Sequence, residues 1–183
     1  MDVRPLAIPE VLLITPKRFG DDRGFFSETY NRAALAAHGV TLDFVQDNHS
    51  LSAAPATIRG LHFQVPPFAQ AKLVRVSRGA VLDVAVDIRR GSPTFGRHVS
   101  AVLSAENWSQ LLVPVGFAHG FCTLEPDTEV LYKVTAPYSA EHDKGLIWND
   151  PALGIDWPLD GREPTLSDKD RRWPALADLP VYF

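Results

Sequence analysis

In the stretch "AVLDVAVDI", residues 80–88, every second residue from Leu82 to Ile88 is apolar and shares one face, whereas Asp83 and Asp87 share the other. A period of two is typical of a β-strand. Similar short runs recur along the chain, separated by clusters of Gly, Pro, Asn and Asp. This spacing favours an all-β sandwich or barrel.

Nine further runs are predicted as strands: 10–15, 24–30, 42–50, 57–63, 71–77, 97–104, 109–114, 119–125 and 129–135. One stretch, "NRAALAAHG", predicts a short helix on the outside of the sheet, capped by Asn31 and ended by Gly39. From Asn149 onward Pro, Trp and Asp become frequent, which predicts a tail of turns that wraps the barrel. With 183 residues, we expect a single domain, 1–183.

Composition excludes several classes of protein. The chain is 45% hydrophobic and 22% charged, as in globular proteins, and its net charge of -4 argues against nucleic acid as a partner. The only apolar run near the start is broken by Pro9 and Glu10, so we expect no signal peptide, no membrane span and a cytoplasmic location. The single cysteine, Cys122, has apolar neighbours and is expected to be a buried small hydrophobe.

Three runs carry polar residues that could face a cavity. In 71–77 and 129–135, Lys72 and Tyr132 fall on valine-lined faces, which favours cavity positions, although a lysine can also snorkel and a tyrosine can be core. In 57–63, strict alternation places His62 on one face and Arg59 on the other, and the pattern does not say which face is inside.

The segment "VPVGFAHGF", residues 113–121, resembles the second half of the cupin signature, with His119 as its histidine. Metal-binding cupins combine that histidine with a His-x-His pair and a glutamate. Here "HFQ" has Gln64 in place of the second histidine, so we expect a cupin-like cavity without a metal. A histidine, a lysine and a tyrosine in such a cavity are suited to proton transfer beside a carbonyl, which needs no cofactor.

The segments "FGDDRGFFSETYN", "FVQDNHS", "IRGLHFQ", "QAKLVRVSRGAVLDVAVDIRRGSPTFG", "GFAHGF", "LYKVTAPYS" and "NDPALGIDWP" together resemble the dTDP-4-dehydrorhamnose 3,5-epimerase family. The similarity extends from about Ile8 to Asp170. It implies a jelly-roll barrel, a homodimer and an epimerase of dTDP-4-dehydro-6-deoxy-D-glucose that uses no cofactor and no metal.

The resemblance also implies catalytic roles. His62 matches the base that removes the protons at C3 and C5, and Asp170 matches the aspartate that orients it, with Asp168 as a nearby competitor. Lys72 matches the residue beside the C4 oxygen. Tyr132 matches the acid that returns the proton from the opposite face.

By the same resemblance, the substrate contacts are Arg23, Glu28, Gln46, Asp47, Asn48, Arg59, His119, Tyr138, Asp143 and Lys169. Arginine suits the diphosphate because its planar fork can bind two oxygens at once. Asp143 and Lys144 stay alternatives at one position. The alternative functions are a single-carbon epimerase of the same substrate, a metal-dependent cupin oxygenase and a non-catalytic sugar-binding module.

Overall fold

The computed structural model describes residues 1–183 and consists mainly of β-strands. The strands are β1 (Asp2–Pro5), β2 (Leu12–Thr15), β3 (Phe19–Asp21), β4 (Gly24–Phe26), β5 (Gln46–Ser52), β6 (Ile58–Gln64), β7 (Lys72–Arg78), β8 (Ala80–Asp87), β9 (His98–Ser104), β10 (Gln110–Val113), β11 (Phe117–Thr123), β12 (Thr128–Val134) and β13 (Asp143–Gly145). The helices are α1 (Arg32–Ala36) and a 3₁₀ turn, Leu176–Asp178. No helix has the length and apolar character needed to cross a membrane.

Two antiparallel sheets face each other. One has six strands in the order β1-β2-β10-β7-β12-β5 and the other has five in the order β13-β6-β11-β8-β9, while β3 and β4 form a separate hairpin. An apolar cluster with members from both sheets, among them Val74, Val81, Leu111 and Phe121, fills the space between them. The predicted all-β, cupin-like class is confirmed, and each of the ten predicted runs contains a strand.

The two outer faces are covered by other parts of the chain. Leu35 of α1 packs on the six-stranded sheet, as predicted, with Asn31 accepting a hydrogen bond from the Ala34 amide at 3.0 Å. Leu153 and Trp157 of the C-terminal segment pack on the five-stranded sheet. Both faces of β8 are therefore buried. Val84 and Val86 pack in the outer cluster, so the two aspartates that alternate with them lie on the interior side, the side of Val81 and Ala85 of the central cluster.

Several sequence-based boundaries were wrong. Of the run 24–30 only Gly24–Phe26 is extended, and it forms an exposed hairpin with β3. The run 42–50 becomes a strand only at Gln46, because the preceding residues pack beside α1. Three strands, β1, β3 and β13, were missed since they have only three or four residues and lack a clear alternation.

The most consequential error concerns β6. Its pairing with β11 matches His62 to His119 but Arg59 to Phe121, so β6 contains one extra residue at a β-bulge. Beyond the bulge the alternation is reversed, and Arg59 and His62 line the same cavity, contrary to the expected opposite faces. The intervening Leu61 packs on the outer face instead.

Gly60 makes this bulge possible. Its φ of +128° is a conformation that residues with a Cβ rarely adopt. A Cβ at this position would also approach the Gly120 Cα to 2.6 Å. The glycine in the middle of an otherwise apolar strand thus sets which side chains of β6 enter the cavity.

Candidate active site

A cavity opens between the two sheets in two adjoining chambers of about 390 and 300 Å³. His62, Lys72, Tyr132 and Lys169 line both chambers. The predicted site residues that line one or both are His62, Tyr132, Asp170, Lys72, Gln46, Asn48, Arg59, His119, Tyr138, Asp143 and Lys169. The other three predicted site residues, Arg23, Glu28 and Asp47, lie outside both chambers.

His62 and Asp170 form the closest polar contact of the cavity. Nε2 of His62 lies 2.5 Å from Oδ1 of Asp170, although the residues are 108 positions apart in the sequence. The other carboxylate oxygen accepts a hydrogen bond from the Ser167 hydroxyl at 2.8 Å. Burial disfavours the charged carboxylate, but the hydrogen bond from His62, and the positive charge of that ring when it is protonated, outweigh burial and hold the pKa of Asp170 below its usual value. Asp168 is exposed, and Asp170 alone of the two contacts His62.

This contact assigns the two ring nitrogens different roles. Because a carboxylate only accepts hydrogen bonds, Nε2 of His62 carries the proton. Nδ1 makes no hydrogen bond within the chain and is left unprotonated in the neutral ring. The ring side chain keeps 29% of its surface exposed. His62 can therefore accept a proton at Nδ1 from a molecule in the cavity.

Lys72 stands at the edge of the same cavity, on β7 of the facing sheet. Its side chain is buried, and its ammonium donates a hydrogen bond to the backbone carbonyl of His62 at 3.2 Å. Burial lowers the pKa of Lys72 to about 8, partly offset by the negative charges of Asp143 and Asp83. At neutral pH this amine is charged and can stabilise an oxyanion.

Tyr132 lies on β12, also in the sheet opposite His62. Its ring packs against the central apolar cluster. Burial raises the pKa of the Tyr132 phenol, so the group keeps its proton through the neutral range. A base and a proton donor thus stand on opposite walls of the cavity.

His119 has a carboxylate partner that sequence reasoning missed. Its Nε2 lies 2.9 Å from Oδ1 of Asp83, on the neighbouring strand β8, and both side chains are buried. The second oxygen of Asp83 has no hydrogen-bond partner. The available signal was an aspartate within the apolar run 80–88, but alternation alone does not show that its face is the interior one.

The cavity mouth is bordered by β13 and the C-terminal segment. Lys169 forms an ion pair with Asp143, and the Tyr138 hydroxyl lies 3.4 Å from the same carboxylate. Asp143, not Lys144, lines the cavity, since the Lys144 amine instead donates to the Glu141 carbonyl.

Asp47, Arg23 and Glu28 do not line the cavity. Along β5 the side chains of Gln46 and Asn48 point inward, so Asp47 faces outward and pairs with Lys133 at 2.7 Å. Arg23, at the hairpin tip, pairs with Asp21 at 2.5 Å. Glu28 is exposed and accepts a hydrogen bond from Asn31 at 3.3 Å.

These positions define what the site can do chemically. A neutral histidine held by a carboxylate can take a proton from carbon, a lysine can stabilise the resulting enolate, and a phenol on the far wall can protonate the other face. The class is therefore that of a cupin-like enzyme that inverts carbon centres next to a carbonyl. No cluster of three or more His, Cys, Asp or Glu side chains is placed to hold a metal ion.

Comparison with known proteins is consistent with this class. The family model for dTDP-4-dehydrorhamnose 3,5-epimerase matches residues 5–178. The chain is 58% identical to the dTDP-4-dehydrorhamnose 3,5-epimerase of Sinorhizobium fredii over 183 residues, which are 100% of this chain and 93% of the relative. It belongs to the dTDP-4-dehydrorhamnose 3,5-epimerase family.

Solved structures agree along nearly the whole chain. The dTDP-4-dehydrorhamnose 3,5-epimerase of Bacillus anthracis, with TDP and PPi bound, is 55% identical with a TM-score of 0.92, covering 95% of this chain and 98% of its own. The dTDP-6-deoxy-D-glucose-3,5-epimerase of Legionella pneumophila, in complex with dTDP-4-keto-L-rhamnose, is 44% identical with a TM-score of 0.94. That alignment covers 98% of this chain and 95% of the Legionella chain.

Proposed function

We propose that this chain is a dTDP-4-dehydrorhamnose 3,5-epimerase, which converts dTDP-4-dehydro-6-deoxy-D-glucose into dTDP-4-dehydro-L-rhamnose for dTDP-L-rhamnose biosynthesis. The observation that carries the proposal is the placement of the His62–Asp170 pair and Tyr132 on opposite walls, with Lys72 beside them. A sugar ring between these walls presents one face to the base and the other to the phenol.

The reaction begins when Nδ1 of His62 removes the proton from C3, which the adjacent C4 ketone acidifies. Asp170 stabilises the imidazolium that forms. The negative charge moves to the C4 oxygen, where the Lys72 ammonium stabilises the enolate. A positioned acid or base contributes about 10²–10⁴ in rate, and one oxyanion donor about 3–4 kcal/mol.

Inversion is completed when Tyr132 donates its proton to the opposite face of C3. The imidazolium and the phenolate then return to their starting states by proton exchange with water. The same sequence at C5 inverts the second centre. Because each new C–H proton comes from the solvent through Tyr132, epimerisation and solvent exchange occur together.

The substrate contacts follow from the rest of the cavity. Arg59, His119 and Lys169 supply hydrogen-bond donors or positive charge for the diphosphate and sugar oxygens. Asp143 and Tyr138 at the mouth, with Gln46 and Asn48, are placed for the nucleoside end of the ligand. These assignments rest on the chambers that the side chains line.

The proposal includes a homodimer. The hairpin of β3 and β4 exposes 53% of Phe19, 54% of Phe25 and 66% of Phe26, an apolar surface of the kind that marks protein interfaces. Arg23 and Glu28, on or just after this hairpin, do not line the cavity of their own chain. We infer that the hairpin packs on a second copy of the chain, so that Arg23 and Glu28 reach the cavity of that second copy. Asp47, on the outer face of β5, is inferred to do the same.

The dimer has a direct test. We expect light scattering to give twice the chain mass, and Phe26→Asp to give monomers with weakened substrate binding. A monomeric wild type with full activity would contradict this part of the proposal. We also place the enzyme in the cytoplasm, in keeping with a single cysteine, Cys122, that is buried and unpaired.

The function itself is tested by NMR identification of the product. With dTDP-4-dehydro-6-deoxy-D-glucose, the expected product is inverted at both C3 and C5. Inversion at one centre would make the chain a single-carbon epimerase. No inversion, with binding retained, would favour a sugar-binding module.

A further inference from the structure

The backbone that carries Tyr138 is held by three glutamine side chains. In the connection between β12 and β13, Gln70 donates to the Ala136 carbonyl at 2.7 Å and Gln64 donates to the Pro137 carbonyl at 3.1 Å. Gln46 accepts from the Tyr138 amide at 3.0 Å. Gln64 also accepts a hydrogen bond from the Ser139 amide, so four consecutive residues each have a backbone group fixed by an amide side chain.

Gln64 is the central member of this set. Its Nε2 also donates to the Phe68 carbonyl at 2.8 Å, and its Oε1 accepts from the Ser139 amide at 2.7 Å. Both amide hydrogens and one oxygen lone pair are thus committed to backbone groups of two loops. The side chain is only 3% exposed, so water cannot readily replace these bonds if they are lost.

The residue that the glutamines fix is itself largely free. The Tyr138 side chain lies at the cavity mouth, its residue is 59% exposed, and its hydroxyl makes only a long contact with Asp143. A fixed backbone under an exposed aromatic ring restricts where the ring can lie before a ligand arrives. Pre-organisation of this kind improves affinity because less freedom is lost on binding.

Gln64 also joins this mouth to the catalytic wall. It lies two residues after His62 on β6, beyond the bulge at Gly60, and both side chains line the larger chamber. The position of the Tyr138 segment relative to His62 is therefore set through one short piece of strand.

We propose that Gln64, assisted by Gln70, is a positioning residue that holds Tyr138 as a platform for the nucleotide and so determines substrate affinity. This inference rests on the proposed function, in which Tyr138 contacts the nucleoside end of the substrate. Gln64 affects substrate binding through Tyr138. It makes no hydrogen bond to the proton-transfer groups, and His62 is held by Asp170.

The test is a double-mutant cycle between Gln64→Met and Tyr138→Ala, with KM and kcat for the nucleotide sugar and the Kd for dTDP as readouts. Methionine keeps the length of glutamine but makes none of its three hydrogen bonds. Gln64→Met is expected to raise KM and the Kd for dTDP about tenfold, with kcat changed less than about twofold. In the Tyr138→Ala background the same substitution should change either constant less than about twofold.

A matched control separates positioning from stability. The Thr128 hydroxyl, at the far end of β12, is also buried and donates to a backbone carbonyl, that of Glu125, at 2.8 Å. Thr128→Val is expected to lower Tm without changing KM. If Gln64→Met does not fold, Gln70→Met takes its place, since it removes only the hydrogen bond to Ala136. It is measured with Tyr138 present and with Tyr138→Ala, and its effect on KM and Kd should likewise depend on the Tyr138 ring.

The results that overturn the inference are a loss confined to kcat, or an equal rise of KM and Kd with and without the Tyr138 ring. Failure of the proposed function gives a different result, a wild-type protein that does not turn over the sugar. The dTDP-binding arm still decides the role of Gln64 in that case.

Discussion

Asp170→Asn is the substitution that isolates the contribution of the carboxylate behind the base. Asparagine has nearly the same size, so the surrounding structure is retained while the negative charge is lost. In the wild type that charge lies 2.5 Å from Nε2 of His62 on a side chain only 5% exposed. In the proposed mechanism, the charge stabilises the imidazolium that forms when His62 takes a proton, and it fixes which ring nitrogen is free.

The size of the effect follows from Coulomb's law. Taking the centres of the two charged groups as about 4 Å apart, at an effective dielectric constant of about 20, gives about 4 kcal/mol. Because His62 is 29% exposed, solvent screens part of this interaction, leaving about 3 kcal/mol. Since 1.36 kcal/mol is a factor of ten, kcat should fall about 10²-fold.

The assay is steady-state turnover of dTDP-4-dehydro-6-deoxy-D-glucose, with kcat and KM determined separately. KM should change little, because the lost charge acts on the base. Asp168→Asn is the matched control, since that carboxylate is two positions away and exposed, and it should leave kcat unchanged. A kcat for Asp170→Asn within about threefold of the wild type would contradict this role of Asp170, as would an equal loss in the control.

Three other predictions concern separate groups. Burial lowers the pKa of Lys72 to about 8, and the proposed mechanism needs the charged amine, so kcat/KM should fall as pH rises above about 8. A rate profile that stays flat to about pH 10 would contradict this role. Tyr132→Phe should reduce inversion about 10²–10⁴-fold, while deuterium still enters the substrate because the His62 imidazolium exchanges with D₂O and returns deuterium to the face it deprotonated; NMR measures both, and loss of both together would place Tyr132 in the abstraction step. Asp87 is buried and its pKa is about 2, since hydrogen bonds from Arg89, Ser92 and Thr94 outweigh burial, so Asp87→Asn should destabilise the fold by about 2 kcal/mol at neutral pH. Because the pKa of Asp87 is lower in the folded state, its charge stabilises the fold fully above the unfolded pKa of about 3.9 and progressively less as pH falls toward 2. In urea titrations, the difference in free energy of unfolding between wild type and Asp87→Asn should therefore shrink at acid pH. A difference that stays constant with pH would contradict this prediction.

Alternation along regular strands was enough to place some of the site residues. It put Lys72 and Tyr132 on faces shared with valines, and both line the cavity. It also put Asp83 and Asp87 on one face of β8, although it did not identify that face as the interior one. Strand runs of six to nine residues are predictable because hydrophobic periodicity is local information.

Alternation failed where the backbone departs from a regular strand. The bulge at Gly60 puts Arg59 and His62 on the same side of β6. The glycine within the strand is the only feature of the local sequence that indicates the extra residue. Along β5, by contrast, alternation holds: the resemblance grouped Asp47 with Gln46 and Asn48, and the regular strand puts Asp47 on the opposite face, where it pairs with Lys133.

The remaining contacts are distant in sequence, and only the fold brings them together. His62 and Asp170 are 108 positions apart, and the bond from Gln64 to the Pro137 carbonyl spans 73. Composition and periodicity carry no information on such pairings. The resemblance to a known family suggested the first pair, and neither source suggested the second or the Asp83–His119 contact.

In the proposed mechanism, His62 removes protons from the carbons on both sides of the sugar ketone. Deuterium incorporation at C3 and C5 in D₂O, followed by NMR for the wild type and His62→Ala side by side, measures this step without a coupled reaction. We expect deuterium at both carbons with the wild type and at neither with His62→Ala. Exchange that persists in His62→Ala at the wild-type rate, or a wild type that exchanges neither carbon, would contradict the assignment of His62 as the base.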